Sequence, residues 1–257
     1  MLFDEEQLDA GGAGCYACHL HKKAKHKQLK AMGTGTVPIL IIGDAPTKQG
    51  EFFEEEHYEI LDGALSDLCV NIEHCRYMTS VVCPTPGDRM PLPREVEFCR
   101  SNIWQELREH PASVILLLGD SALLSVVGQL WKRDLGNSQR WEGLVFPYSK
   151  AGAWVIVNKH PRSLFKKDRD GKIYQDKALS GAWLRYIEKA VDLLDKPFDR
   201  KITLLPNTEH LHGDDRIRYL KQLLEKHPQF LAFDYETNCI RPQLSESKIY
   251  AVGFACD

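Results

Sequence analysis

The sequence predicts an α/β sandwich over residues 1–195, built on a mainly parallel four-stranded sheet. Three observations lead there. Strand-length apolar runs recur at Val37–Ile42, Tyr77–Val82, Ser113–Leu118 and Trp154–Val157, three of them nearly continuous in Val, Ile and Leu. Such runs suit strands covered on both faces, as in a parallel sheet. Stretches of helical spacing lie between them, and strands alternating with helices make crossover units. Each run also gives way to a polar turn bearing Gly or Pro.

In chain order, Val37–Ile42 runs into Gly43, Asp44, Ala45 and Pro46. A helix over Glu55–Leu68 follows, with Ile60, Leu61, Ala64, Leu65 and Leu68 on one side. Tyr77–Val82 leads into Cys83-Pro84-Thr85-Pro86-Gly87. The next helix, Pro93–Glu109, opens on a proline, whose missing N–H costs nothing in a first turn, and carries Val96, Ile103 and Leu107. Ser113–Leu118 turns at Gly119-Asp120-Ser121, where Asp120 is the candidate N-cap of a helix reaching Leu130. Trp154–Val157 ends at Lys159-His160-Pro161-Arg162, ahead of a helix over Asp176–Leu194 with Leu179, Trp183, Ile187, Ala190, Val191 and Leu194 as its apolar positions. Ligands of open α/β sheets bind beyond the carboxyl ends of the strands. The polar turns are therefore expected along one edge, either as a ligand crevice or only as turns and caps.

A boundary is expected near Asp195–Arg200, leaving 196–257 as a linker and part of a second domain. There Ile202–Leu204 reads as a strand, Arg216–Lys226 as a helix, and Phe230–Asp234 and Ile249–Phe254 as strands.

Composition is that of an ordinary globular chain, 43% hydrophobic and 27% charged. The net charge of −3 does not announce a nucleic-acid partner, so any such contact must come from a local patch. No run approaches the roughly 18 apolar residues of a membrane span, and the N-terminus lacks the basic-then-apolar order of a signal peptide. A soluble, cytoplasmic protein without a membrane partner is expected.

The 8 cysteines exceed what a reduced compartment usually needs. Without a secretion signal, metal or cluster ligation explains them better than disulfides. Cys15 and Cys18 form a C-x2-C pair, and Cys83 and Cys99 a C-x15-C pair. Structural zinc sites usually combine two tight pairs, so the wide second pair is unusual for zinc. The alternative is four buried free thiols, a role that suits cysteine. Cys69 and Cys75 read as core packing.

The same residues resemble a known family. Cys15-Tyr16-Ala17-Cys18 with His21, Val37–Pro46, Leu61-Asp62, the Cys83–Cys99 segment with Arg89, Pro91, Pro93 and Glu95, Leu118–Ala122, and His160-Pro161 are similar in order and spacing to the iron–sulfur (family 4) uracil-DNA glycosylases. The resemblance implies a three-layer α/β/α fold and hydrolysis of the bond between uracil and deoxyribose. It also implies a mainly structural 4Fe–4S cluster on Cys15, Cys18, Cys83 and Cys99. Phe53 matches the phenylalanine that stacks on the base, and His160 the histidine that donates to the uracil oxygen. Asp44 stands where the family usually has Glu, the carboxylate that steadies the sugar cation and orients water.

The base must be met in single-stranded DNA or flipped from a duplex into a pocket. Gly43, Ala45 and Pro46 would form the ligand-gripping turn, Ser80 lies where the uracil edge would be read, and Arg162 would hold phosphate. The basic run His19–Lys30 either borders the DNA path or is a solvated helix face. Five departures surround the pocket: Asp44 for Glu; Thr47 for Gly in a shortened loop; Thr79-Ser80 where Asn is usual; Arg162 for Ser; and Glu54-Glu55-Glu56 at a helix start that is usually Gly-rich. They favour an alternative reading, a catalytically silent module that binds DNA or a polymerase as a replication accessory.

Phe233-Asp234-Tyr235-Glu236-Thr237 resembles the first motif of DEDD-type 3′–5′ exonucleases, as found beside phage-type family A DNA polymerases. That implies the opening of a ribonuclease-H-like domain, in which Asp234 and Glu236 would help hold a divalent metal pair. The other acidic motifs are not in this stretch, which is expected to be inactive alone. A polymerase domain, in cis or in trans, is the implied partner.

Overall fold

The computed structural model describes residues 15, 17–129, 131, 135–168, 170–196, 198, 214–226, 231–237 and 249–256. Its contacts divide the chain into two units, Met1–Leu204 and Leu205–Asp257.

In the first unit all four expected strands form: β1 (Ile39–Gly43), β2 (Arg76–Thr79), β3 (Val114–Leu118) and β5 (Ala153–Asn158). They pair in parallel, β2 on β1, β1 on β3 and β3 on β5. A fifth strand, β4 (Val145–Tyr148), pairs antiparallel with β5 at the edge, giving the order β2-β1-β3-β5-β4. Its sequence, Val-Phe-Pro-Tyr, is short, only partly buried and interrupted by a proline that a strand tolerates only at an edge. Its weak signal explains why the sequence pointed to four strands.

Every residue of β1 and β3 is buried, so both sheet faces are covered. Four helices do this: α2 (Glu55–Ser66), α3 (Pro93–Glu109), α4 (Asp120–Val126) and α6 (Lys177–Asp192). α2 packs with α6, and α3 with α4. Leu61, Ala64 and Leu65 of α2 and Trp183, Ile187 and Ala190 of α6 are buried. Each fully buried large apolar side chain is worth about 1.5–3 kcal/mol. Two short helices, α1 (His19–Lys23) and α5 (Ser138–Trp141), and a hairpin of β6 (Phe165–Lys167) and β7 (Ile173–Gln175) complete the unit.

Three expectations need adjustment. The basic run is helical only over His19–Lys23 and continues irregularly. Asp120 is the first residue of α4, and the cap is Gly119. Cys75 is buried as expected, but Cys69 is exposed: it follows the end of α2 in a left-handed turn, φ 61°, that carries it out of the core.

The second unit contains α7 (Asp214–Lys226), β8 (Leu231–Thr237) and β9 (Ile249–Cys256). β8 and β9 pair antiparallel, Asp234 opposite Gly253 and Glu236 opposite Ala251. The expected strand at Ile202–Leu204 lies outside the described residues. Among the described residues no helix is long and apolar enough to cross a membrane.

Candidate active site

The parallel strands all end on one edge. β1 delivers Gly43 and Asp44, β2 delivers Ser80, β3 delivers Gly119, and β5 delivers Lys159 and His160. Strand order reverses between β1 and β3, the position where open α/β sheets bind ligands.

Asp44 occupies that switch point. It is 2% exposed, and its Oδ1 accepts the Ser121 N–H at 2.8 Å. A second N–H bond comes from Ala122. The carboxylate thus serves the open first turn of α4, where the helix dipole favours negative charge. Its other oxygen, Oδ2, pairs with the Arg162 guanidinium at 2.5 Å. Burial raises the Asp44 pKa to about 6, against the lowering pull of Arg162 and the backbone N–H groups. Gly119 makes the arrangement possible. Its φ is 106°, and a Cβ there would lie within 2.6 Å of both carboxylate oxygens.

His160 is held by the end of β5. The buried Asn158 amide donates to the Trp183 carbonyl at 3.0 Å, and the Trp183 indole donates to the Lys159 carbonyl at 2.9 Å. Lys159 also pairs with Glu142 at 2.9 Å. His160 is buried, and its pKa falls well below the usual histidine range through desolvation, with Arg162 and His57 adding repulsion. Its Nδ1 accepts the Arg162 N–H at 3.3 Å. The neutral ring therefore carries its proton on Nε2 and is a hydrogen-bond donor there.

Phe53 lies against Gly43, where an added Cβ would come within 2.9 Å of the phenyl ring. Phe53 and His160 have ring centroids 5.8 Å apart, and His57 meets His160 edge-on at 5.5 Å. These three rings, with Ala45, Pro46, Thr47, Lys48, Gln49 and Arg162, line a cleft of about 340 Å³. The opposite wall is Thr85, Asp88, Arg89, Met90 and Pro91, all from the segment between Cys83 and Cys99. Arg89 grips Glu95 with two bonds, of 2.8 and 2.6 Å, and Glu95 also accepts the Leu92 N–H at 2.8 Å. Burial alone would raise the Glu95 pKa, but these donors outweigh it and lower the value.

Of the expected site residues, Ala45, Pro46, Phe53, His160 and Arg162 line this cleft. Gly43 supports Phe53 from below. Asp44 reaches the cleft only through Arg162. Ser80 is not brought to it: its hydroxyl donates to the Asp44 carbonyl at 2.5 Å and pins the turn. Lys48, Gln49, His57 and Asp88 are polar lining residues that the sequence did not single out. Only the buried position of His57 on the inner face of α2 carried a signal for it.

The C-x2-C and C-x15-C segments approach one another. Gln28 donates its backbone N–H to Cys83 Sγ at 3.5 Å and its side-chain amide to Cys15 Sγ at 3.3 Å. The Val82 N–H donates to Cys99. Burial pushes the Cys99 thiol up to about 12, and Cys18, Cys83 and Cys15 add to the rise. Cys83 is raised chiefly by burial and also by Cys15 and Cys18. Among the described residues no group of three or more His, Cys, Asp or Glu is arranged to hold a metal ion. Side chains of Asp234 and Glu236 lie outside what the structure describes, and only their places on β8 are given.

A comparison with curated proteins finds no match. The family model described as the Uracil DNA glycosylase superfamily matches residues 31–184. That span is more than half of the chain and contains the whole five-stranded sheet, Phe53, the Cys83–Cys99 wall and His160. The chain belongs to the uracil DNA glycosylase superfamily.

Proposed function

We propose that this chain hydrolyses the N-glycosidic bond of uracil in DNA, with the base drawn from single-stranded DNA or flipped into the cleft. The observation that carries the reading is the convergence of Phe53, a neutral His160 and Arg162 on one base-sized cleft at the carboxyl edge of the sheet. Phe53 offers a face for stacking. As the C1′–N1 bond breaks, its electron pair moves to the base, and the His160 Nε2–H stabilises the charge on the uracil oxygen. Water adds to C1′ and its proton departs to solvent, with Asp44 acting through Arg162 on the charge of the site. Arg162 takes a DNA phosphate.

Cys15, Cys18, Cys83 and Cys99 would hold a 4Fe–4S cluster. One metal ion needs four donors at about 2.0–2.3 Å, whereas a cluster spreads its thiolates over several irons. Gln28 reaches Cys83 and Cys15 at once, which brings the two cysteine pairs to one locality and supports the second case. When bound, the cluster would tie the N-terminal segment to the cleft wall and neutralise the repulsion among the thiolates.

The second reading, a silent module that binds DNA or a polymerase, is favoured by one observation. The Asp44 carboxylate is already committed to Arg162 and α4 and does not line the cleft. An alkali-cleavage assay on a uracil-containing single-stranded oligonucleotide decides between them. Strand breaks that vanish in Asp44→Ala and His160→Ala establish the glycosylase. Salt-dependent binding indifferent to uracil, with no breaks, establishes the silent module. We further propose that Asp234 and Glu236 open a 3′–5′ exonuclease site beside a polymerase, with a divalent metal pair bound once the remaining carboxylates are supplied. Their alternate positions on β8 support this.

A further inference from the structure

We propose that Gln28 couples the four-cysteine centre to a lysine-bearing arm on the rim of the cleft, so that filling the centre fixes the arm against the phosphates of a DNA strand. This rests on the cluster reading given above.

Gln28 has φ 50°, the left-handed region that a residue with a Cβ normally avoids. The turn lets one residue address both cysteine pairs, its backbone N–H on Cys83 and its side-chain amide on Cys15. Ligation would fix Cys15 and Cys83 relative to one another, so a filled centre holds both of Gln28's acceptors in place and offsets the cost of the backbone twist, whereas an empty one leaves them free to part. The chain beyond is zipped to the strand that leads to Cys83. The Leu29 N–H bonds the Val82 carbonyl at 2.9 Å, and Met32 and Tyr77 exchange two backbone bonds of 2.9 and 3.0 Å.

On the other side of Gln28, the His26 ring lies against Gly50. Gly50 closes the turn whose Thr47, Lys48 and Gln49 line the cleft. With φ 91° and His26 Cβ 3.3 Å from where a side chain would start, position 50 admits only glycine without strain. Sulfur, Gln28, His26 and the cleft turn are thus in sequential contact. Around them Lys22, Lys23, Lys25, Lys27 and Lys30 are all exposed. In a chain of net charge −3 this is a concentrated positive field, and a phosphate backbone is its complement.

The test uses the full chain with its centre filled, judged by iron and sulfide content. Gln28→Ala and Gln28→Gly are compared with the wild type in two readouts: the rate at which visible absorption bleaches in air, and affinity for a uracil-free single-stranded oligonucleotide across a salt series. Both variants are expected to bleach several-fold faster and to bind DNA several-fold more weakly. Gln28→Gly relieves the backbone twist, so it stands in should Gln28→Ala fail to fold. Lys23→Gln combined with Lys25→Gln should bleach at the wild-type rate while the salt slope falls by about 1.4, the contribution of two phosphates. Wild-type bleaching in both Gln28 variants overturns the coupling, as does faster bleaching with unchanged DNA affinity. An unchanged slope in the lysine variant overturns the arm, which is then a solvated surface. A wild-type chain that takes up no iron sinks the cluster reading itself, and the lysine variant still decides whether the arm meets DNA.

Discussion

Asp44 sits where three demands meet: a helix N-terminus, an arginine and a dry strand end. Its pKa is raised from the ordinary carboxylate value to about 6, so the folded state holds the proton more tightly than the unfolded chain. Below the unfolded value both states are protonated and Asp44 costs nothing. As pH rises towards 6 the unfolded chain ionises first and stability falls, and above 6 the loss is complete, roughly 2–3 kcal/mol. Asp44→Asn keeps an acceptor for Ser121 and removes the buried charge. Its melting temperature should exceed that of the wild type at pH 8, with the gain shrinking by pH 5. Excision should respond in the opposite direction. If the ionised carboxylate works, the single-turnover rate falls as pH drops through about 6, and the Asp44→Asn rate is lower at every pH. His160 stays neutral across this range and adds no second limb. His160→Gln should cost on the order of 100-fold in rate, the usual effect of losing one oxyanion donor, while keeping the acid limb. Residue types and chain order made Asp44, Phe53 and His160 visible in the sequence. That Asp44 turns from the cleft to cap α4 was not visible, because it depends on Gly119 and Arg162, 75 and 118 positions away.

At the level of elements, the central strands were legible because burial on both faces forces unbroken runs of Val, Ile and Leu, as in Ile39–Ile42 and Val114–Leu118. The helices were legible because burial on one face leaves a period, as in Trp183, Ile187 and Ala190. Edges carry neither constraint. β4 is only partly buried and the β6–β7 hairpin is almost wholly exposed, and they left no pattern to read. The sequence suggested a ligand loop at Cys83–Cys99 and gave no sign that this segment forms a cleft wall. Its shape depends on Arg89 bridging back to Glu95, with Glu95 nearly buried at 5% exposure. Arg89→Ala leaves that carboxylate with the Leu92 N–H as its remaining partner in the loop, an expensive state for a buried charge. Because Arg89 itself is partly exposed, the expected loss is modest, about 1–2 kcal/mol by chemical denaturation. If the chain holds the proposed cluster, the variant should also lose its iron to a chelator faster than the wild type. Arg89→Lys should recover only part of both, since an ammonium cannot reproduce the two-pronged grip.

Across the whole molecule, the two units differ in what they can bury. The first buries a large apolar core of its own. Its sheet draws all five strands from Ile39 to Asn158, and its central strands β1 and β3 are covered on both faces. The second unit offers, among the described residues, one helix and a single antiparallel pair. Two paired strands are marginal in water without a third strand or a packed helix face, and α7 exposes Ile217 and Tyr219 on its surface. Residues 1–204 expressed alone should therefore unfold in one cooperative step, followed by tryptophan fluorescence, since all 5 tryptophans of the chain, the buried Trp183 among them, lie in that span. Residues 205–257 expressed alone should show no cooperative transition in far-ultraviolet circular dichroism and should be cut rapidly by protease. A sharp thermal transition in that short piece would mean that α7 and the β8–β9 pair already form a core of their own. The reading of this segment as the opening of a larger exonuclease domain would then lose its physical basis, since a self-sufficient module has no need of further strands.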